Sequence, residues 1–199
     1  MILQAALLLA GLSATASGNT CCPPVRFSAV QSVTIVNSTY AKDALYSFTY
    51  DGINQRYVIS GDLSDGFVTT TKAIYDYPKR TGYHIDTAAR TCSAFRLQGQ
   101  FQDQESVCVP SGAVSLGPFF YGYDVGRLSS RAYSYNSTSV NGEHQKVVST
   151  VTRKGCVPIV ITTTTTGPEG NGLKVLGYND VVPGISDFSV FDVPSYCYA

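Results

Sequence analysis

The sequence predicts a mostly β protein built from antiparallel strands. Polar and apolar residues alternate in several segments, whereas the periodicity of an amphipathic helix is scarce. In residues 46–50 aromatic side chains alternate with Ser and Thr, Asp51-Gly52 indicates a turn, and residues 56–60 are expected to form the returning strand. Gly and Pro are spread along the chain without a Pro- or Ser-rich linker, so one domain is expected.

Two more alternating segments support this fold class. In residues 93–101, Phe95, Leu97 and Phe101 fall on one face of a predicted strand, and polar side chains fall on the other. Residues 147–151 alternate in the same way, with Val and Ser on one face. Both segments therefore predict strands with one buried face.

The β-branched run VPIVITTTTT at residues 157–166 predicts another strand. Its threonines also fit a mucin-like patch, but the Ile-Val-Ile that precedes them favours a strand. Short helical segments are expected near the C-terminus or within residues 111–116. Strands are thus expected to dominate the fold.

Charge is sparse and balanced along the chain. The sequence has 14 Lys and Arg residues and 14 Asp and Glu residues, so its formal net charge is zero. Charged residues make up 14% of the chain, against about 25% in typical soluble domains. Because nucleic-acid binding requires a basic face, no nucleic-acid partner is expected.

Residues 1–16 are typical of a secretory signal peptide. The apolar run at residues 5–12 is shorter than the ~20 residues that a membrane span needs, and Ala-Thr-Ala at residues 14–16 fits the cleavage rule. A membrane anchor is the alternative. No later segment has the length of a membrane span, so residues 17–199 are expected to form one secreted, extracellular domain.

The cysteines and sequons agree with an extracellular location. The six cysteines form an even set, and their spacing matches no zinc motif. Three disulfides are expected, but spacing alone does not choose among 15 pairings. Asn37 and Asn136 each begin an Asn-x-Ser/Thr sequon, so both are predicted glycosylation sites. The cysteines are Cys21, Cys22, Cys92, Cys108, Cys156 and Cys197.

Catalysis has little support in the sequence. His84 and His144 are the only histidines, and the alternation around His84 places it on a solvated strand face. The sequence contains no nucleophile elbow, zinc-protease motif or phosphate-binding loop. We therefore expect a protein that is not an enzyme.

Three carboxylates near the C-terminus form the candidate metal site. Asp180, Asp187 and Asp192 supply the oxygen ligands that Ca²⁺ prefers, although they match no EF-hand loop. The alternative is that they are turn and capping residues. Calcium is thus the only cofactor that the sequence suggests.

An aromatic segment at residues 118–123 is the clearest sign of a ligand. Alternate aromatic residues of a strand face a core, where they pack against other side chains or line an apolar cavity. The sequence does not separate these two roles. Phe119, Tyr121 and Tyr123 are therefore candidate cavity residues.

Five motifs in the expected order show that the chain resembles the ependymin family. The resemblance covers nearly all of residues 17–199. The matching motifs are Cys-Cys-Pro-Pro-Val-Arg-Phe at residues 21–27, Phe-Thr-Tyr-Asp-Gly-Ile-Asn-Gln-Arg at residues 48–56, Gly-Tyr-His-Ile-Asp at residues 82–86 with Thr-Cys at residues 91–92, Gly-Cys-Val-Pro at residues 155–158, and residues 184–197.

This resemblance implies a fold and a set of disulfides. Family members have two stacked, curved antiparallel sheets, a half-barrel similar to bacterial lipoprotein carriers, around a deep apolar pocket. They are secreted glycoproteins, often homodimers, linked to lipids, calcium and extracellular matrix. The implied pairs are Cys21–Cys156 and Cys92–Cys197, with Cys22–Cys108 as a third pair that departs from the vertebrate pattern.

Two functions are carried forward from the sequence. The first is binding of a lipid or fatty acid in a pocket between the sheets, because apolar transfer alone holds a lipid tail with few polar contacts. The second is an extracellular matrix or cell-adhesion protein with calcium-dependent association. The predicted pocket residues are Phe95, Leu97, Phe101, Phe119, Tyr121 and Tyr123.

Overall fold

In the described part of the chain, eleven antiparallel strands form one continuous, open sheet. The computed structural model describes residues 21–61, 71–101, 107–139, 142–167 and 170–198. The predicted signal peptide lies outside these residues. The strands are β1 (Arg26–Val36), β2 (Ala41–Asp51), β3 (Arg56–Ser60), β4 (Thr71–Asp76), β5 (Thr81–Asp86), β6 (Thr91–Arg96), β7 (Val114–Tyr121), β8 (Leu128–Thr138), β9 (His144–Thr152), β10 (Pro158–Gly167) and β11 (Gly170–Pro183).

The sheet consists of two meanders, β1–β6 and β7–β11. Hydrogen bonds between β1 and β11, the first and last strands of the chain, join them. The strand order is β6-β5-β4-β3-β2-β1-β11-β10-β9-β8-β7, so only the β1–β11 contact joins strands that are distant in sequence. The expected mostly β, antiparallel fold is confirmed. Its strands are hydrogen-bonded into one sheet, whereas the family resemblance implied two stacked sheets.

Aromatic residues form the core on one face of the sheet. We call this the inner face and define it by the neighbouring positions Phe27, Phe48, Tyr57 and Tyr178. Phe27 and Phe48 are fully buried, and their ring centroids lie 5.8 Å apart. The rings of Tyr57 and Tyr75 are stacked, with centroids at 4.3 Å. The alternation in β1 and β2 thus places one large ring layer inside the protein.

The C-terminal segment, residues 184–198, packs on the opposite, outer face of β3–β6. It contains two 3-10 helices, Phe188–Phe191 and Ser195–Tyr198. Phe191 is buried against a cluster that includes Val58 and Ile74. The predicted helical character near the C-terminus is therefore present, as two short 3-10 helices.

Two of the local sequence predictions were wrong. Residues 111–116 were a candidate helix, but they form a turn that leads into β7. The strand predicted for residues 93–101 ends at Arg96. Gly99 has a positive φ of 75°, a conformation that interrupts a strand and turns the chain. Phe101 therefore lies beyond the end of β6, where its ring packs against Tyr50 and Tyr77 of the aromatic core.

Cations fix the C-terminal segment to the outer face. The Arg56 guanidinium lies 4.0 Å from the centroid of the Phe191 ring. The Lys72 Nζ donates hydrogen bonds to the carbonyl oxygens of Val190 and Asp192, at 3.2 and 3.0 Å. Burial lowers the pKa of Lys72, and the charge of Asp192 partly offsets that effect.

Three disulfides connect distant segments. They join Cys21 to Cys156, Cys22 to Cys108 and Cys92 to Cys197. The first and last are the pairs that the family resemblance implies, and Cys22–Cys108 is the expected third pair that departs from the vertebrate pattern. The sequence separations are 135, 86 and 105 residues. In the chain-entropy model, bonds that close loops of this length each stabilise the fold by about 4–5 kcal/mol. The bonds fit a protein of an oxidising compartment.

Asp51 ties the first three strands together at one end. Its side chain is fully buried and accepts hydrogen bonds from Arg26 Nε at 2.9 Å and Arg56 Nε at 3.1 Å. Asn54 adds bonds from its backbone N–H and from Nδ2. Burial alone would raise the pKa of Asp51, but the hydrogen bonds from Asn54, Arg26 and Arg56 lower it below its ordinary value.

Replacing Asp51 by Asn should lower the free energy of unfolding at pH 7 by about 1.5–3 kcal/mol, because the hydrogen bonds from two arginines lose their charged acceptor. In the wild type this contribution is fully present above the unfolded-state pKa of about 3.9, and it is lost as the pH falls through the lower folded-state pKa. Urea unfolding as a function of pH measures both effects. Asp43→Asn, at an exposed position of β2, is the control. Equal losses in the two variants would contradict the assigned role.

Candidate functional site

A cavity of about 650 Å³ opens on the inner face of the sheet. It is lined by residues of β1–β6 and β11, so both strands of the β1–β11 junction contribute to it. Its volume falls within the ~300–1,000 Å³ that small-molecule sites usually have. The apolar residues on its wall are Val33, Ile35, Phe48, Ile59, Ala73, Tyr75 and Leu176.

Strand register explains why these apolar residues meet. Residues directly opposite each other in neighbouring strands lie on the same face of a sheet. Val33 faces Leu176 across the β1–β11 pair, and Ile59 faces Phe48 on one side and Ala73 on the other. Alternation along each strand therefore collects apolar side chains from five strands into one wall.

Polar side chains lie around this wall. Thr71 begins β4, Asp86 ends β5, and Thr91 begins β6, so all three lie where a strand begins or ends. The Asp86 carboxylate caps the β5–β6 turn and accepts from the backbone N–H groups of residues 88 and 89. Lys174, opposite Ile35, supplies a basic side chain to the same cavity.

Two polar residues that border the cavity, Lys72 and Gln31, were absent from the predicted pocket. The register places the Lys72 side chain with Ile74 on the outer face, where it bonds the C-terminal segment. Gln31 lies on the inner face and is only 3% exposed. Its signal in the sequence was a single polar residue at an inner position of a strand that is otherwise apolar on that face.

None of the first three predicted pocket residues lines the cavity. The Phe95 ring covers Gly82 and stacks on the His84 ring, with centroids 4.6 Å apart. It therefore packs against the cavity residue His84 but does not border the cavity itself. Leu97 is buried after the end of β6. Phe101 belongs to the aromatic core, with its ring centroid 5.3 Å from that of Tyr50. Phe95 belongs to β6, whereas Leu97 and Phe101 follow the end of that strand, so the three residues do not lie on one strand.

The other three predicted pocket residues lie at the far edge of the sheet. Phe119 and Tyr121 belong to β7, an edge strand that does not border the cavity, and both are exposed. Tyr123 is 93% exposed and follows that strand. These aromatic residues lie on the meander opposite to the one that forms most of the cavity.

The predicted metal site is not assembled. Among the residues that the structure describes, no group of three His, Cys, Asp or Glu side chains lies close enough to hold a metal ion. Asp187 instead caps the helix at Phe188–Phe191 by accepting hydrogen bonds from the backbone N–H and the hydroxyl of Ser189. These bonds lower the pKa of Asp187 below its ordinary value. Asp192 ends that helix, and Asp180 has a positive φ of 49° in β11.

The two sequons occupy different local structures. Asn37 lies between β1 and β2, and its Oδ1 accepts hydrogen bonds from Thr39 and from the backbone N–H of Tyr40. Asn136 lies in β8 and is exposed. Throughout the described ranges, no helix is long and apolar enough to cross a lipid bilayer.

Comparison with known proteins identifies the family of this chain. Residues 67–197 match the family model described as Ependymin. Ependymin-related protein 1 of Haliotis asinina is 60% identical over 201 aligned residues, which cover all of both chains. The chain belongs to the ependymin family. Ependymin-related protein 2 of the same organism is 52% identical to this ependymin-family chain, again over the full length of both.

Solved structures similar to this ependymin-family chain share little of its sequence. An uncharacterized conserved protein from Thermus thermophilus is 6% identical, with a TM-score of 0.48 and coverage of 86% of this chain and 87% of that one. A LolA superfamily protein from Nitrosomonas europaea is 12% identical, with a TM-score of 0.44 and coverage of 87% and 92%. Neither likeness bears on the ligand.

In this ependymin-family protein, Gly82→Ala should reduce the free energy of unfolding by about 1–3 kcal/mol. A Cβ at position 82 would overlap the Phe95 ring, so that ring must leave its place between His84 and Tyr75. Urea unfolding measures the loss. Gly112→Ala is the matched control, because a Cβ there meets no atom within 4 Å. Equal stabilities of the two variants would show that the Phe95 ring is not held by Gly82.

Proposed function

We propose that this protein binds a hydrophobic molecule, a lipid or fatty acid, in the cavity on the inner face. The observation that carries the proposal is the apolar wall of a cavity of about 650 Å³. Burial of about 200 Å² of ligand surface against such a wall contributes about 5 kcal/mol, at ~25 cal/mol per Å². The polar residues at the strand ends then orient the ligand.

This proposal is for a binding protein and not for an enzyme. The wall consists mainly of aliphatic and aromatic side chains, which hold a ligand without activating it. His84, the histidine on this wall, is stacked on Phe95. Its ring is therefore part of the packing around the cavity.

We further propose that the protein is secreted and glycosylated. The three disulfides support an oxidising compartment. The exposed position of Asn136 and the location of Asn37 between two strands leave both sequons near the surface. Digestion with a peptide N-glycosidase, followed by mass spectrometry of the secreted protein, tests both sites.

A second candidate function is association in the extracellular matrix or at cell surfaces. The observation that favours it is the edge strand β7, which exposes Leu116, Phe120 and Tyr121 and pairs, within the described residues, with a strand on one side only. Light scattering with and without calcium tests this function. Calcium-dependent assembly would support it, whereas a monodisperse species of one size in both conditions would count against it.

The direct test of the first proposal is recovery of a ligand. The protein would be secreted from eukaryotic cells, purified without detergent and examined by native mass spectrometry followed by organic extraction. One reproducible bound mass that extracts as a lipid class would support the proposal. A ligand-free mass, with no uptake of offered fatty acids or phospholipids, would contradict it.

Ala73→Phe should lower the affinity for an offered fatty acid by about tenfold or more. The added ring would occupy the cavity, and overlap in a packed site costs about 1–3 kcal/mol, where 1.4 kcal/mol is a factor of ten. Native mass spectrometry titration measures the affinity. Ala94→Phe is the matched control, because Ala94 is exposed on the outer face of β6. Unchanged affinity of a folded Ala73→Phe variant would place the ligand elsewhere.

A further inference from the structure

Gln31 is an unusual residue for the place that it occupies. It lies in the middle of β1, directly opposite Tyr46 of β2 and Tyr178 of β11, and its side chain is 3% exposed. The preceding and following inner-face positions of β1 are Ala29 and Val33. Gln31 thus places a carboxamide on the wall of an otherwise largely apolar cavity.

The carboxamide has no partner within the part of the chain that the structure describes. No backbone group or side chain there hydrogen-bonds to the Gln31 side chain. The neighbouring Tyr46, which also lines the cavity, likewise has no side-chain hydrogen bond to a described residue. The Gln31 polar atoms are not among the buried side-chain atoms that lack a hydrogen bond in the described residues, so they are accessible from the cavity and can bond to a molecule that enters it.

The surroundings of Gln31 favour an uncharged partner. Its inner-face neighbours are two tyrosines, an alanine and a valine, so no cation stands beside it to balance a carboxylate or phosphate. The basic side chain of Lys174 lies farther along β11, beyond Leu176. A carboxamide offers both a donor and an acceptor, which matches a hydroxyl group, since a hydroxyl also donates and accepts.

We infer that the ligand of this cavity is a neutral lipid with a hydroxyl group, of the long-chain alcohol class, and that this hydroxyl bonds to Gln31. This inference rests on the proposed binding function and narrows its ligand class. Gln31 would act as the specificity residue, because a site built to hydrogen-bond a hydroxyl discriminates against the analogue that lacks it. The apolar wall would hold the chain.

The test compares 1-decanol with 1-fluorodecane, which has the same chain and no hydroxyl donor. Binding of 1-fluorodecane to the delipidated full chain is followed by ¹⁹F NMR, and 1-decanol is added as the competitor. The measured quantity is the ratio of the two dissociation constants, in wild type and in Gln31→Met. Because the cost of removing each ligand from water is the same for both proteins, it cancels when the ratios are compared.

The preference for 1-decanol should fall by about three- to tenfold in Gln31→Met, the range expected for one net hydrogen bond. Gln98→Met, the same change at an exposed position that does not line the cavity, should leave the preference within about twofold of the wild type.

Two results would overturn the inference and can be told apart. If both compounds bind and the preference is the same in wild type and Gln31→Met, the polar contact is wrong while the hydrophobic site stands. If neither compound binds to the wild type or to either variant, the proposed binding function fails and the inference fails with it.

Discussion

The pairing between β1 and β11 is the contact on which the architecture depends. Each of the other strand pairs joins strands that follow one another along the chain, so each forms from a local hairpin or short connection. The β1–β11 ladder instead brings together residues 27–36 and residues 173–183. Without it the two meanders would be separate sheets, each with an additional unpaired edge. Pairing such distant segments has a large entropic cost, because a long loop must close before the ladder forms. Contacts of this kind therefore slow folding.

The same ladder positions the cavity. Val33 and Leu176 meet across it, and Gln31 faces Tyr178 in the same register. A shift of this register by one residue would turn the whole inner set of one strand to the outer face. The pairing of β1 with β11 therefore has to form in one register. The disulfides between distant segments and the Asp51 carboxylate then stabilise the folded sheet in that register.

Local features of the fold could be predicted from the sequence, because strand alternation and turn residues act over short distances. The strands around Asp51-Gly52 and the threonine-rich β10 are where the residue pattern places them. The cavity wall could not be predicted in this way. Period-two alternation shows which residues share a strand face, but not where that strand lies in the sheet, and so Phe119 and Phe48 carried equivalent signals. One lies on the edge strand β7, and the other lines the cavity on β2.

The candidate site also depends on residues whose signals are individually weak. Gly99 turns the chain after β6 and separates residues that a longer strand would have kept together. Asp187 carries a carboxylate of the kind that binds calcium, but its hydrogen bonds with Ser189 show that it caps a 3-10 helix. The disulfide pairs followed from family resemblance, because many pairings fit the same spacing.

Strand β4 lies between the cavity on the inner face and the C-terminal segment on the outer face, so its side chains alternate between the two. Ala73 and Tyr75 face the cavity, while Lys72 and Ile74 face the segment. Adjacent residues of β4 therefore have different roles, because one pair lines the cavity and the other pair packs against the C-terminal segment. A substitution at Ala73 can therefore reshape the cavity wall while the contacts of Ile74 with the C-terminal segment stay in place.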